Sequence, residues 1–208
     1  YSIKNKKADV LIFDIIQNKL KTSFKLKINN KIIHSSNYKF TINAIGNHNI
    51  LNATASIVAA KLNGIKNKDI NNALTNYVGV KRRFSFLGKK NMAYVYDDYA
   101  HHPTEIAATL SAAKSLKNKV IVVFQPHRYT RTKILIREFI KVLSKVDYLF
   151  LLETYSAGEK IIKGATSKDI YSKILKKNKN TIYLKNIGDL NKLMKPYTLH
   201  QNTIVFMG

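Results

Sequence analysis

Hydrophobic and polar residues follow two different patterns along this chain, and the change falls near residue 79. Over residues 1–42 apolar and polar positions alternate loosely, as in Val10-Leu11-Ile12-Phe13-Asp14 and Phe24-Lys25-Leu26-Lys27-Ile28, with Asn29-Asn30 and Ser35-Ser36 as punctuation. Period-two alternation sends every second side chain to one face of a strand, so this stretch predicts short antiparallel strands. From Asn49 to Leu62 an alanine-rich run with Ala53, Ala55, Ile57, Val58, Ala59 and Ala60 predicts a buried helix, and Asn63-Gly64 supplies its stop signal. A second short helix is expected over 67–77, with Ile70, Ala73 and Leu74 on one face and Gly79 closing it.

Beyond that point apolar runs alternate with amphipathic stretches. Strands are expected near 93–97, 119–124, 147–152, 181–184 and 203–206, and helices near 103–116, 131–145, 167–177 and 187–195. Pro103 suits a first helical turn, where its missing N–H costs nothing, and Thr166-x-x-Asp169 resembles a capping box. Alternation of strand and helix implies an α/β domain with a mostly parallel sheet and helices on its faces. Residues 1–78 offer too few elements for an α/β core of their own, so the boundary near 79 separates the tail of one domain from most of a second. The chain opens without methionine and stops at Ile204-Val205-Phe206-Met207-Gly208, at the end of an expected strand, which reads as a fragment.

Composition narrows the function classes. With 208 residues, 45% of them hydrophobic, the chain can bury a sizeable core. No apolar run approaches the roughly 18–20 residues of a membrane span and no signal-peptide pattern opens the sequence, so a soluble product is expected. The absence of cysteine excludes disulfides and thiolate metal sites and suits a reducing cytoplasm. A net charge of +24 ordinarily suggests nucleic acid or an anionic surface. Here nearly all of it is lysine, scattered through Lys4–Lys7, Lys61–Lys68 and Lys173–Lys179, often beside asparagine. That distribution favours a solvated surface, and no DNA- or RNA-binding motif accompanies it; a basic nucleic-acid module is the alternative from a different class. The arginines are then informative: Arg82, Arg83, Arg128, Arg131 and Arg137, four of them within polar segments at expected element ends.

Three expected strands run out into polar knots. Asp97-Asp98-Tyr99-Ala100-His101-His102-Pro103-Thr104-Glu105 follows the first, Gln125-Pro126-His127-Arg128-Tyr129-Thr130-Arg131 the second, and Glu153-Thr154-Tyr155-Ser156-Ala157-Gly158-Glu159 the third. Ligands of parallel α/β sheets bind in the crevice outside the strand carboxyl ends, so one shared cleft is expected. The acidic exit could hold ribose hydroxyls or a metal, or simply cap the helix at Pro103; a dedicated metal site is disfavoured because adjacent Asp and His rarely share ligand geometry. His127, Arg128 and Arg131 suit an anionic substrate beside a helix N-terminus, or are surface residues. Arg82 and Arg83 are either a phosphate clamp at a domain junction or a solvated turn. Asn49 and Asn52 share a helix face and could read a purine edge, while plain capping would also explain Asn49.

Taken in order, Gly46-x-His48-Asn49-x-x-Asn52, Gly79-Val80-Lys81-Arg82-Arg83-Phe84, the two knots beginning at Asp97 and Phe124, and Tyr155-x-Ala157-Gly158-Glu159 closely resemble the Mur ligase family. The resemblance implies a three-domain, ATP-dependent ligase of peptidoglycan precursor synthesis, in which residues 1–79 are the C-terminal part of the central ATP-binding domain and residues 80–208 most of a Rossmann-like C-terminal domain. It implies MgATP, with the phosphate loop and magnesium ligands upstream of this chain and no metal ligand within it, so that the chain alone is expected to be inactive. Within the family the fit is to the enzyme that joins L-alanine to the lactyl carboxylate of UDP-N-acetylmuramate through an acyl-phosphate; a ligase that recycles murein tripeptide is the alternative. The resemblance assigns His48, Asn49, Asn52, Arg83 and Asp98 to ATP, Tyr99, His127, Arg128 and Arg131 to the amino-acid and acyl-phosphate side, and catalytic roles to Arg83, His101 and Arg131. The sequence departs from the family pattern at Glu153, where aspartate is usual, at Lys160-Ile161-Ile162, and at Met207-Gly208, where a Gly-Ala-Gly-Asp segment would continue.

Overall fold

The computed structural model describes residues 1–18, 20–29 and 36–208, and the chain divides into two compact units, Tyr1–Gly79 and Val80–Gly208. Asn30 and Ser35, expected as turn punctuation, lie outside the described residues. In the first unit β1 (Val10–Asn18), β2 (Lys21–Ile28) and β3 (Ser36–Ile42) form an antiparallel sheet in that order. Alternation brings Ile12, Phe24, Leu26 and Phe40 to one face, where they pack with Ile50 and Ile57 of α1 (Asn47–Leu62) and Ile70 of α2 (Asn67–Asn76). Helix α1 stops as its sequence indicates: the Gly64 N–H bonds to Lys61 O and the Ile65 N–H to Ala60 O, with Gly64 at φ 76°, a left-handed conformation that favours glycine.

The second unit is built on six strands: β4 (Ser85–Lys90), β5 (Ala93–Asp98), β6 (Val120–Phe124), β7 (Tyr148–Leu152), β8 (Thr181–Leu184) and β9 (Thr203–Met207). Their order in the sheet is β4-β5-β9-β6-β7-β8, and only β4 runs antiparallel to its neighbour. The expected mostly parallel α/β sheet is therefore present. Val120 to Phe124 are all buried, as continuous apolar runs must be when both sheet faces are covered. Helix α6 (Leu190–Thr198) covers one face through Leu190, Met194 and Tyr197 against Ile121, Val123, Phe150 and Ile204. On the other face Phe124 meets Phe139 of α4 (Tyr129–Leu143) with ring centroids 5.7 Å apart, and α4 lies between α3 (Pro103–Lys114) and α5 (Ser167–Ile174).

Strand β4 escaped the sequence pattern for a physical reason. Phe86 and Leu87 are both exposed, and the pairing register with β5 slips between Phe86 and Gly88, so its side chains do not alternate between core and solvent. The capping box at Thr166 and Asp169 is present, with each side chain accepting the other's backbone N–H. The register matters for function, because Asp98, Met207, Phe124 and Leu151 are successive partners across β5, β9, β6 and β7. The exits of these four strands consequently form one row along one edge of the sheet.

Candidate active site

The first exit turns on Asp98, the last residue of β5, which is 4% exposed. Its Oδ2 accepts the Phe84 N–H at 2.9 Å and the Thr109 hydroxyl at 2.9 Å, and its Oδ1 accepts the Ala100 N–H at 2.8 Å. Burial pushes the Asp98 carboxyl above its ordinary value, partly offset by these three donors and by the Arg83 charge. Asp98 thus ties the segment before β4, the loop after β5 and helix α3 to one carboxylate. Oδ2 accepts two hydrogen bonds and Oδ1 one.

Arg82 and Arg83 are handled differently. The Arg82 Nε lies 3.2 Å from Asp97, its Nη2 donates to Gly208 O at 2.8 Å, and its guanidinium lies 4.7 Å from the Tyr99 ring centre, so this arginine braces the edge of the site. Arg83 keeps a half-exposed guanidinium, 3.8 Å from Glu105 Oε1. Both neighbours of Arg83 take left-handed backbone, Arg82 at φ 57° and Phe84 at φ 47°, and Arg128 at 72° and Ala157 at 49° repeat this on the same edge. Each such residue costs about 1 kcal/mol or more and persists only where surrounding contacts hold it; such strain is concentrated at functional sites. For Phe84 the holding contacts are evident, a ring stacked on Tyr96 at 4.5 Å and an N–H bonded to Asp98.

Beyond Asp98 the chain enters α3 through His102, whose Nδ1 accepts the Thr104 N–H at 3.3 Å. Glu105, one turn in, accepts the N–H groups of His101 at 3.1 Å and His102 at 3.3 Å with Oε2, which also lies 3.7 Å from the His101 ring. Burial alone would raise the Glu105 carboxyl, but these N–H groups and the charges of His101 and Arg83 outweigh it and hold it below its ordinary value. The His101 Nδ1 lies 2.9 Å from Tyr99 O, a pure acceptor, so in the neutral ring Nδ1 carries the hydrogen and Nε2 is the free base.

The second and third exits are stitched together. His127 pairs with Tyr155 in a short parallel bridge, with the Arg128 N–H on Tyr155 O and the Tyr155 N–H on Pro126 O, both at 2.9 Å. The His127 ring lies 5.0 Å from that of Tyr155 and 6.3 Å from that of His101, so residues of the β5, β6 and β7 exits come together. Burial, then the charges of Arg131, His101 and Arg128, hold His127 below the usual imidazole value against the opposing pull of Glu159. Arg131 reaches back to His127 O at 3.5 Å, and Arg128 is exposed.

The N-terminus of α4, read from sequence as an anion site, is taken by the chain's own Glu159, which accepts the Thr130 N–H at 3.0 Å and the Thr130 hydroxyl at 2.6 Å. Glu159 is aimed by a tight turn in which its N–H bonds to Ser156 O, with Ala157 and Gly158 both at positive φ. The Glu153 carboxylate is likewise engaged by the Tyr183 hydroxyl. Among the described residues no three His, Asp or Glu side chains converge on a metal position, and Asp97, Asp98, Glu105 and Glu159 are committed to protein donors, so these residues do not fit a magnesium site.

In the first unit His48, Asn49 and Asn52 all lie on the opening turns of α1, with Asn52 exposed and His48 and Asn49 half-buried. Asn49 does not cap the helix. Its side-chain amide donates to Ile45 O at 2.9 Å, and Gly46 is the capping residue. Sequence reasoning also gave no site role to Glu105 or Glu159. The signal for Glu105 was its place three residues after His102, obscured because histidine is an unusual cap.

Residues 82–208 match the family described as Mur ligase, glutamate ligase domain, which is more than half of the chain. The chain belongs to the Mur ligase family. Over 146 residues this Mur ligase chain is 47% identical to UDP-N-acetylmuramate--L-alanine ligase of Carboxydothermus hydrogenoformans, covering 70% of this chain and 32% of that protein. It is 36% identical to the enzyme of that name from Rickettsia typhi over 216 residues, covering 100% of this chain and 43% of the relative. Its fold is similar to the crystal structure of UDP-N-acetylmuramate-alanine ligase from Thermotoga maritima, with a TM-score of 0.78 and 27% identity over 98% of this chain and 43% of that one. The chain therefore spans less than half the length of these relatives. Among the described residues no helix is long and apolar enough to cross a membrane.

Proposed function

We propose that this chain is part of a cytoplasmic, ATP-dependent ligase that joins L-alanine to the lactyl carboxylate of UDP-N-acetylmuramate. The observation that carries this reading is the convergence of Tyr99, His101, His127 and Tyr155 across three strand exits, beside Arg128 and Arg131 and with Arg83 on the same edge. A carboxylate is a poor electrophile. Its oxygen takes the γ-phosphoryl group of ATP and ADP leaves; the amine then attacks the acyl carbon, phosphate departs, and the nitrogen loses its proton. Cations that meet the transferring group stabilise its spreading charge, a role we give to Arg83 and Arg131, with Arg128 and His127 receiving the amino-acid carboxylate. With Nδ1 held on Tyr99 O, Nε2 is the His101 nitrogen we give to the proton of the amine, and Tyr99 lines the same side.

For nucleotide contact in the second unit, Arg83 takes a phosphate and Asp98 Oδ1 a ribose hydroxyl. The first unit is read as the end of an ATP-binding domain, with His48, Asn49 and Asn52 toward adenine, which the exposed Asn52 amide and the remaining donor and acceptor of Asn49 suit. Magnesium we assign to residues outside this chain. The deciding experiment uses the full-length protein with ATP, UDP-N-acetylmuramate and either L-alanine or murein tripeptide. Phosphate release and an alanylated nucleotide product, both dependent on L-alanine, are expected; turnover with tripeptide alone would overturn the choice of amine, and turnover with neither would overturn the ligase reading.

A further inference from the structure

Glu105 joins two side chains that the proposed chemistry uses for different substrates. Oε1 lies 3.8 Å from the Arg83 guanidinium, and Oε2 lies 3.7 Å from the His101 imidazole while it accepts the His101 and His102 backbone N–H groups. The two oxygens belong to one rigid carboxylate, so Arg83 and His101 face the same group. The base of the carboxylate is itself fixed, because Glu105 belongs to the first turn of α3 and Pro103 sets the backbone there. We propose that Glu105 is a positioning residue that couples the nucleotide-side arginine to the amine-side histidine.

Three further observations support a coupling role over simple helix capping. A cap needs only one acceptor, which Oε2 provides; Oε1 is left to face Arg83. His101 already has a hydrogen-bond partner for Nδ1 in Tyr99 O, so the nearby carboxylate is not needed to satisfy that atom and acts instead on the ring's charge and orientation. The N–H groups and positive charges around Glu105 outweigh its partial burial and hold its carboxyl below the ordinary value. The groups facing His101 are Tyr99 and Glu105 from the β5–α3 segment and His127 from the β6 exit, and beyond His127 stand Arg128, Arg131 and Glu159. Among these, Glu105 alone is negative and within 4 Å of the ring.

The inference rests on the ligase reading for its kinetic arm, and a second arm is independent of activity. In the full-length enzyme Glu105→Gln, which keeps an acceptor for the helix N–H groups, is expected to lower kcat/KM for both ATP and L-alanine by about 10-fold to 100-fold, the scale of a small misplacement of catalytic groups. Double-mutant cycles should be non-additive twice: with Arg83→Ala when ATP is varied, and with His101→Ala when L-alanine is varied. Glu105→Asp, one methylene shorter, should recover only part of the loss. Additivity in both cycles would refute the coupling. Independently, nitrogen NMR of this 208-residue chain should show Glu105→Gln displacing the Arg83 Nε and His101 ring resonances together while those of His200 stay in place. Unmoved Arg83 and His101 resonances overturn the proposal whether or not the enzyme turns over.

Discussion

Replacing Asp98 by asparagine should destabilise the second unit by about 2–4 kcal/mol, a figure that follows from its three acceptor bonds. Oδ2 receives the Phe84 N–H and the Thr109 hydroxyl, and Oδ1 the Ala100 N–H. An amide has one oxygen. If its nitrogen takes the Oδ1 position it faces the Ala100 N–H, and if it takes the Oδ2 position it faces the Phe84 N–H; Thr109 can rotate to accept, but a backbone N–H cannot. One buried donor is stranded either way, at about 1–3 kcal/mol, and the remaining bonds lose their charge assistance at about 1 kcal/mol each, offset in part by no longer burying a charge. Urea unfolding followed by circular dichroism gives the total, and amide exchange at β5, β9 and β6 assigns it to Val80–Gly208. Thr109→Val, which removes a single hydroxyl donor, should cost less. The same substitution should weaken ATP use in the full-length enzyme, because the Phe84 N–H that Asp98 holds is adjacent to Arg83. A loss below about 0.5 kcal/mol for Asp98→Asn would show that these bonds do not anchor the segment.

Four further outcomes are expected. Arg131→Ala in the full-length enzyme should lower turnover by about 100-fold to 1000-fold with a smaller effect on ATP affinity, and Arg131→Lys should recover it only partly, as steady-state kinetics with each substrate varied will reveal. Glu159→Ala should speed amide exchange at Thr130 and open the α4 terminus to inorganic phosphate, read as a phosphate-dependent shift of the Thr130 resonance that the native chain lacks. Acid should have opposite effects on two sets of carboxyls. For Glu105, Glu159 and Asp169, whose folded values are lowered, stability is present above the ordinary 4.5 and 3.8 and is lost as pH falls through the folded values; for Asp98, whose value is raised, stability is present below 3.8 and lost as pH rises, so Asp98→Asn should flatten none of the acid loss in urea midpoints. Tyr183, pushed up to about 12 first by burial and then by Glu153, should titrate at lower pH in Glu153→Gln when tyrosinate absorbance is followed.

Much of this fold was legible because its core strands obey simple periodicities. The buried runs at 120–124 and 148–152 and the alternating run at 24–28 admit few other readings, and turn chemistry at Asn63-Gly64 and Thr166–Asp169 fixed element ends. Strand β4 was hidden because a bulge destroyed its alternation and left Phe86 and Leu87 in solvent. For the site, residue types at strand exits named most of the groups that converge. Their partners could not be read, because they come from distant sequence: Thr109 on Asp98 arrives from within α3, and Glu159 reaches Thr130 across the β7 exit. Local pattern gives the donors of a site, while which of them are already spoken for is a matter of tertiary packing.

The position of β9 has a consequence for how the protein is made. The sheet of the second unit is threaded from β4 outward to β8, and the strand that lies between β5 and β6 is the last of the six to be synthesised. Until Thr203–Met207 leave the ribosome, β5 and β6 have no neighbour along their inner edges, since their register partners are Thr203 to Met207. The nascent unit can form the β4–β5 hairpin and the β6-β7-β8 group, but these remain two halves with open strand edges, the kind of exposed template that invites pairing with other chains. Insertion of β9 closes both of these edges at once and sets the β5 and β6 exits, with His101 and His127, on either side of it.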